Sequence, residues 1–307
     1  MKKNCLVIGL CVVGVLLLAL LIIVLVVDSK LGLFSGSEIS HEEFATPDTR
    51  IRLVIKPSLF IDDIRDHMAP PDVPPWATDM ALPHESAVLM DCSPSSEATA
   101  IRLFLNENRF GPLIVQGIND QEAMLRLPGV AWTGAMTRPK RGVLLKEGKV
   151  NVPEKVLSLV RKQWGLVELP NSLTIEGGHL LEAVLDNRDG GAYALIAAMQ
   201  TAVGRTHEML EPERLIGTVH NIASVRMTAD KAGPDVLDIH LHIEGNPQKE
   251  EADIEALVSL LTFVYQASRD GLREEGIELT GTFERDGMAI EGTFQLEGYV
   301  NLLPTAR

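Results

Sequence analysis

The chain of 307 residues is acidic, with 42 Asp and Glu against 28 Lys and Arg. An acidic surface repels phosphate backbones, so we expect no nucleic-acid partner. Of the three cysteines only Cys92 lies beyond residue 27, so the rest of the chain cannot form an internal disulfide and must be stabilised by packing.

Residues 5–27 are an unbroken uncharged and almost wholly apolar run behind Lys2 and Lys3. As a helix this run reaches about 34 Å, enough to cross a hydrocarbon core of roughly 30 Å. A cleaved signal peptide is the alternative, but its apolar region is usually shorter and ends in a small-x-small site, which Val26-Val27-Asp28 lacks. We therefore predict a transmembrane anchor.

The two lysines also predict the orientation of the anchor. Basic residues favour the cytoplasmic side, so residues 1–4 should lie in the cytoplasm and residues 28–307 outside it. The expected location is the bacterial inner (cytoplasmic) membrane, crossed once. The exported part then contains 26 basic and 42 acidic residues, a formal charge of −16.

The remaining chain divides into a polar tether, two modules and short connections. The boundaries that the patterns predict are 28–49 for the tether, 50–150 for module A, 151–170 for a connecting segment, 171–300 for module B and 301–307 for a tail. Alternating polar and apolar residues over 50–56 predict the first strand.

In module A the patterns predict alternating strands and helices. Helices are expected at 58–68, 93–108, 120–127 and 153–164, the second because Ser93-Pro94 can cap a helix. Strands are expected at 87–91, 111–118, 130–136 and 141–146.

Two stretches of module A match stretches of module B when they are aligned by pattern. RLVIKPSLFIDDI at 52–64 matches SLTIEGGHLLEAV at 172–184, and VLMDCSPSSEATAIRLFL at 88–105 matches HLHIEGNPQKEEADIEALVSLL at 240–261. The simplest interpretation is two degenerate copies of one strand-helix-strand-helix-strand module, with coincidence as the alternative.

The end of module B predicts a long helix and a hairpin. Asn246-Pro247 opens the helix, Gly271 can close it, and Asp286-Gly287 supplies the hairpin turn. Antiparallel hairpins with helices on one face indicate the α+β fold class.

The segment 238–244 contains the most notable candidate metal site. Strand periodicity places Asp238, His240, His242 and Glu244 on one face, where two imidazoles and a carboxylate could share a zinc ion. No distant Cys or His pair completes a ligand set, so a solvated strand face is the favoured interpretation and no cofactor is expected.

Other candidates for chemistry are weaker. The helix with Asp62, Asp63 and Asp66 is better explained as a hydrated face, and the loop 186–191 fails the spacing of a calcium loop. Cys92 is expected to be a packing residue. Nucleotide-binding loops and hydrolase motifs are missing from the sequence, so no catalytic residue is assigned and an enzyme is the less favoured class.

A proline-rich segment is the candidate partner-binding element. Pro74 and Pro75 precede Trp76, and a stiff segment that presents a Trp loses little entropy on docking. The alternative is that the loop packs over its own domain.

The units PSLFIDDI and GGHLLEAV, the single anchor and the terminal helix and hairpin together resemble uncharacterised bacterial envelope proteins with repeated extracytoplasmic domains of unknown function. The resemblance implies no catalytic site. The sequence thus predicts a non-enzymatic, membrane-anchored interaction or scaffold protein with an envelope protein or membrane complex as its partner. The alternatives are an envelope carrier of an apolar or lipid ligand and a hydrolase with a convergent site.

Overall fold

The computed structural model describes residues 39–57, 83–94, 98–106, 129–137, 139–140, 142–165, 169, 171–203, 216–217 and 219–302. The predicted span at 5–27, the helices at 58–68 and 120–127, the strand at 111–118 and the loop with Trp76 lie outside these residues. Within the described ranges, no helix is long and apolar enough to cross a membrane.

The described strands form one ten-stranded sheet in which each neighbouring pair is antiparallel. In chain order, the strands of the first half are β1 (Thr49–Ile55), β2 (Glu85–Asp91), β3 (Ala98–Asn106), β4 (Ala131–Thr137) and β5 (Val143–Asn151). Those of the second half are β6 (Leu181–Asp186), β7 (Ile222–Gly233), β8 (Val236–Gly245), β9 (Glu278–Asp286) and β10 (Ala289–Glu297). The antiparallel α+β architecture expected from the sequence is therefore present.

The strand order reads the same way outward from the middle of the sheet. The order is β4-β5-β3-β2-β1-β6-β7-β8-β10-β9, with β1 and β6 adjacent. In each half the first strand is central, the second and third follow outward, and the fifth pairs before the fourth, which forms the edge.

Among the described residues, three α-helices longer than ten residues accompany the sheet: α1 (Glu154–Trp164), α2 (Gly191–Val203) and α3 (Glu251–Glu274). Ile51, Leu185, Val225 and Ile243 lie directly opposite one another on successive strands, so they point to one face of the sheet. Ile51 packs with the core of α1 and α2, and Ile243 packs with Ile254 of α3. The three helices therefore lie on the same face.

The opposite face of the first half is covered by extended chain. Its apolar residues are Val54, Ala87, Phe104, Val143 and Leu145, and Ile39, Phe44 and Ile175 pack against them. A short 3-10 helix at His41–Phe44 carries Phe44 close to the sheet, and Ile39 lies just before this helix.

The helix predicted over 93–108 is wrong, because the chain forms strand β3 there. Ile101, Phe104 and Leu105 have the i, i+3, i+4 spacing of a helix face. Strand β3 lies between β2 and β5 and is covered on both faces, so its apolar residues do not alternate with polar ones.

The two pattern alignments between the modules are also wrong. The segment 172–180 contains no strand, and β6 begins only at Leu181. The segment 88–105 spans parts of β2 and β3, whereas 240–261 is a strand followed by a helix. The strand orders of the two halves correspond instead when β1 is matched with β6.

The long helix and the terminal hairpin lie close to their predicted places. Helix α3 begins at Glu251, where the side chain of Glu250 and that of Asp253 form a reciprocal capping box. It continues past Gly271 to Glu274, so Gly271 does not close it. Gly276, with φ of 75°, lies in the turn that follows.

Candidate functional site

The polar face of β8 is organised by cross-strand pairs. Nδ1 of His242 lies 2.6 Å from Oε1 of Glu291, Gln295 Nε2 donates to Asp238 Oδ1 at 3.0 Å, and Ser224 Oγ donates to Glu244 Oε2 at 3.1 Å. His240 is exposed on the same face, opposite Thr293. Each of these pairs joins β8 to a neighbouring strand.

This arrangement does not gather the predicted metal ligands. Across the described part of the chain, no three His, Cys, Asp or Glu side chains are grouped so that they could hold a metal ion. The pairs are cross-strand hydrogen bonds of a polar strand face, and the metal site at 238–244 stays a prediction.

Cys92 is buried beside the helices, with 2% of its surface exposed. Burial raises the pKa of its thiol well above the usual value, and the negative charge of Asp189 adds to this effect. A nucleophilic cysteine needs an accessible thiolate, so Cys92 is a packing residue here.

The loop between β6 and α2 uses its polar side chains internally. Asp189 pairs with Arg50, Asp186 pairs with Arg188 at 2.7 Å, and Oδ1 of Asn187 accepts the backbone N–H of Tyr193 in the first turn of α2. The carboxylates therefore hold the loop to the sheet. The loop 186–191, whose spacing does not fit a calcium loop, instead joins β6 to α2 and to the sheet. The sequence did not indicate this structural role.

A small pocket lies between the end of α1, this loop and the end of β8. It encloses about 270 Å³, and its lining includes Trp164, Arg188, Glu244 and Asn246. Sites for drug-sized ligands usually enclose about 300–1,000 Å³. Arg188 and Asn246 are already engaged by Asp186 and by the backbone oxygen of His220, so few free polar groups converge on the space.

The main candidate site is the outer surface of α3. The exposed large apolar side chains among the described residues are Leu260, Phe263 and Val264, with exposed fractions of 37%, 62% and 50%. All three lie within five consecutive residues of one helix. Scattered single apolar residues are ordinary on a surface, whereas such a cluster indicates a contact site.

Helix α3 carries two apolar faces. Ile254 and Leu257 are buried against the sheet, and the ring of Tyr265 lies 5.4 Å from that of Phe294. This face is fixed by the hydrophobic core. Leu260, Phe263 and Val264 lie outside it and form a second face, which we call the outer stripe.

Charge surrounds the outer stripe unevenly. From 256 to 268 the helix contains no charged residue, while α3 as a whole has five acidic and two basic residues. Arg285 of β9 pairs with Glu251 at 2.6 Å near the start of the helix. The outer stripe is thus an apolar patch with an acidic surrounding.

The predicted docking residues Pro74, Pro75 and Trp76 lie outside the described residues, so their role stays a prediction. The outer stripe was not predicted as a surface. Leu260 and Val264 have helical spacing in the sequence, but Leu257 and Leu261 have it equally, and only the sheet beneath the helix decides which pair is buried.

Comparison with known proteins gives little beyond these features. No family model and no curated protein matches the chain. The solved structures that resemble it include three crystal forms of TP0453, with 10–12% sequence identity and TM-scores of 0.36–0.38. The matches cover 82–84% of this chain and 90–99% of TP0453.

Proposed function

We propose that the chain is a membrane-anchored interaction protein of the bacterial cell envelope that binds a protein partner through the outer stripe of α3. The observation that carries this proposal is the clustering of Leu260, Phe263 and Val264 on one exposed helix face. Aromatic residues such as Phe263 are enriched at the centres of protein interfaces.

The charge of the surrounding surface favours a protein over a lipid surface. Helix α3 has three more acidic than basic residues, and the exported part has a formal charge of −16. Anionic lipid headgroups would be repelled, and amphipathic helices that lie on membranes usually have a basic polar face. We infer a partner with an apolar groove and a basic rim.

The anchor and the location are part of the same proposal. The apolar run at 5–27 and the lysines before it support a single-pass anchor in the inner membrane, with residues 28–307 outside the cytoplasm. The partner is then an envelope protein or a membrane complex.

The alternative functions receive less support. A carrier of lipid needs a large apolar cavity, and the described pocket beside α1 encloses about 270 Å³. A hydrolase with a cysteine nucleophile needs an accessible thiolate, and Cys92 is buried. A scaffold role needs neither.

We also infer that the two halves of the sheet arose by duplication of one module. The matching strand order outward from β1 and β6 supports this inference.

Site-specific crosslinking tests the proposal. A photoreactive residue at position 263 of the full-length protein in its own membrane should capture a protein that the same residue at position 269 does not capture. The captured protein is then purified, and its affinity for Phe263→Ser and Leu260→Ser variants is compared with the wild type. Hot-spot truncations cost about 2 kcal/mol, roughly 30-fold in Kd.

The matched control is Arg269→Gln, which changes an exposed residue of the same helix and should bind as the wild type does. Equal affinity of the Phe263→Ser variant for the captured protein would contradict the proposal. Binding of the wild type to protein-free anionic vesicles that is lost with Phe263→Ser would assign the stripe to a lipid surface instead.

A further inference from the structure

Residues 39–47 cross the sheet face opposite the helices as a strap. Phe44 packs on Phe104 with ring centroids 5.5 Å apart, and the backbone oxygens of Ile39 and Phe44 accept bonds from Asn106 and Arg102. The strap covers the apolar residues of β1, β2, β3 and β5 on that face.

His41 is the centre of the strap and is 4% exposed. Nδ1 of its ring lies 2.8 Å from Oε1 of Glu85 on β2, and Nε2 lies 3.4 Å from Oε1 of Glu42. Both ring nitrogens thus face a carboxylate. A neutral imidazole has only one N–H, so the doubly protonated, cationic ring is the form that matches both partners.

Further charges complete this cluster. Arg52 on β1 places Nε 3.4 Å from the same oxygen of Glu42, and Lys56 at the end of β1 acts on Glu85. At the surface, Lys140 pairs with Glu43. The positive and negative groups alternate from Glu85 through His41 and Glu42 to Arg52, so removal of the charge on His41 leaves two half-buried carboxylates next to a neutral ring.

We propose that residues 39–47 are a detachable strap that the protonated His41 holds closed, and that loss of this proton opens the strap while the rest of the sheet stays folded. This opening is separate from the proposed binding through the outer stripe of α3 and does not depend on it. No described segment other than the strap changes in this step.

The electrostatics set the pH range of the device. Burial alone would lower the pKa of His41, but the carboxylates of Glu42 and Glu85 that face its ring raise it to about 9 from the ordinary 6.5. In the open strap the ordinary value applies. The contribution of the His41 proton to the closed state is therefore complete below pH 6.5, and it is lost as the pH rises through 9.

The size of the effect follows from the same two values. Between pH 6.5 and 9 the open strap binds one proton fewer than the closed strap, so the opening constant rises about tenfold for each pH unit. The total rise is on the order of 300-fold. Acid also opens the strap, since Glu42 and Glu85 have lowered pKa values and protonate below their ordinary range.

Hydrogen exchange on the full-length protein in detergent tests the proposal. The backbone N–H of His41 donates to Oε1 of Glu85 on β2 at 3.3 Å, so this amide loses its partner when the strap opens. Its protection factor, corrected for the intrinsic pH dependence of exchange, should fall about tenfold per unit from pH 6.5 to 9. The amides of β8 and β10 should keep their protection and so exclude global unfolding.

Variants test whether the proton on His41 causes the pH-dependent opening of the strap. His41→Asn removes the titrating ring and should give low, pH-independent protection of the strap, and Glu85→Gln should shift the fall to lower pH. His242→Asn, the matched control at an exposed histidine that is also paired with a carboxylate, should behave as the wild type does. Constant strap protection in the wild type, a parallel loss in β8 and β10, or an unchanged pH dependence in His41→Asn would each overturn the proposal.

Discussion

Arg50 and Asp189 form a buried ion pair that joins the first strand to the loop before α2, 139 residues further along the chain. Nε of Arg50 lies 2.8 Å from Oδ2 of Asp189, and the two side chains are 3% and 1% exposed. The pair fastens together the two halves of the sheet close to the contact between β1 and β6.

Breaking this pair should strongly destabilise the fold. Arg50→Ala leaves the Asp189 carboxylate buried without its partner and should lower the free energy of unfolding by about 3–5 kcal/mol in urea. Arg269→Ala removes an exposed pair with Asp270 and should cost less than about 1 kcal/mol. A loss of equal size in both variants would mean that burial does not decide the value of the Arg50 pair.

Two glycine substitutions should act in opposite directions. Gly190 has φ of 78°, and a Cβ there would lie 2.7 Å from Cδ2 of Trp164, so Gly190→Ala should cost about 2–4 kcal/mol. Gly271 lies within α3 with open space around its Cα, so Gly271→Ala should raise stability by about 0.5–1 kcal/mol. Chemical denaturation of both variants checks the signs, and destabilisation by Gly271→Ala would refute the account of that site.

Metal removal should not change the stability of the fold. His242 is paired with Glu291 on the surface, so its substitution by Ala should cost less than about 1 kcal/mol. Residues 40–307 should melt at the same temperature with and without a chelator, and also with and without a reductant. A marked fall of the melting temperature in chelator would restore the His240 and His242 metal site.

Trp76 provides a separate test of the proline-rich loop as a docking element. If the ring projects from the domain, Trp76→Ala should leave the melting temperature nearly unchanged while binding to the captured partner weakens by about 2 kcal/mol or more. A core Trp would instead lose about 3–5 kcal/mol of folding stability. The second result would remove the loop from the list of partner contacts.

The anchor predicts a defined topology. A reporter that is active only outside the cytoplasm, fused after Arg307, should be active, and the full-length protein should stay with the membrane after a carbonate wash. The measurement is the partition of intact protein between pellet and supernatant. A soluble form that begins near Asp28 would show that the apolar run is cleaved.

Sequence patterns predicted the strands in which one face is more exposed to solvent than the other. Strands β1, β9 and β10 alternate because one side is more exposed, and the turn at Asp286-Gly287 was readable from its residue types. Strand β3 was mistaken for a helix because both of its faces are covered. The pairing of β1 with β6 left no local pattern at all.

Candidate sites were harder to predict than strands. The polar face of β8 was readable from its period of two, but its bonding to Glu291 and Gln295 depends on strand register. His41 and Glu85 are 44 residues apart in the chain, and their contact follows from the path of the strap. The exposure of Phe263 depends on how closely α3 packs on the sheet. The spacing of the apolar residues of α3 does not specify this packing.

The strap also determines how far the folded domain can extend from the proposed membrane anchor. It continues directly from residues 28–38, and with the proposed anchor at 5–27 these eleven residues can span at most about 36–40 Å. Opening residues 39–47 would add about 30 Å of chain without altering the sheet. With the longer connecting chain, the domain could reach partners on neighbouring complexes. Its effective concentration at each partner would then be lower.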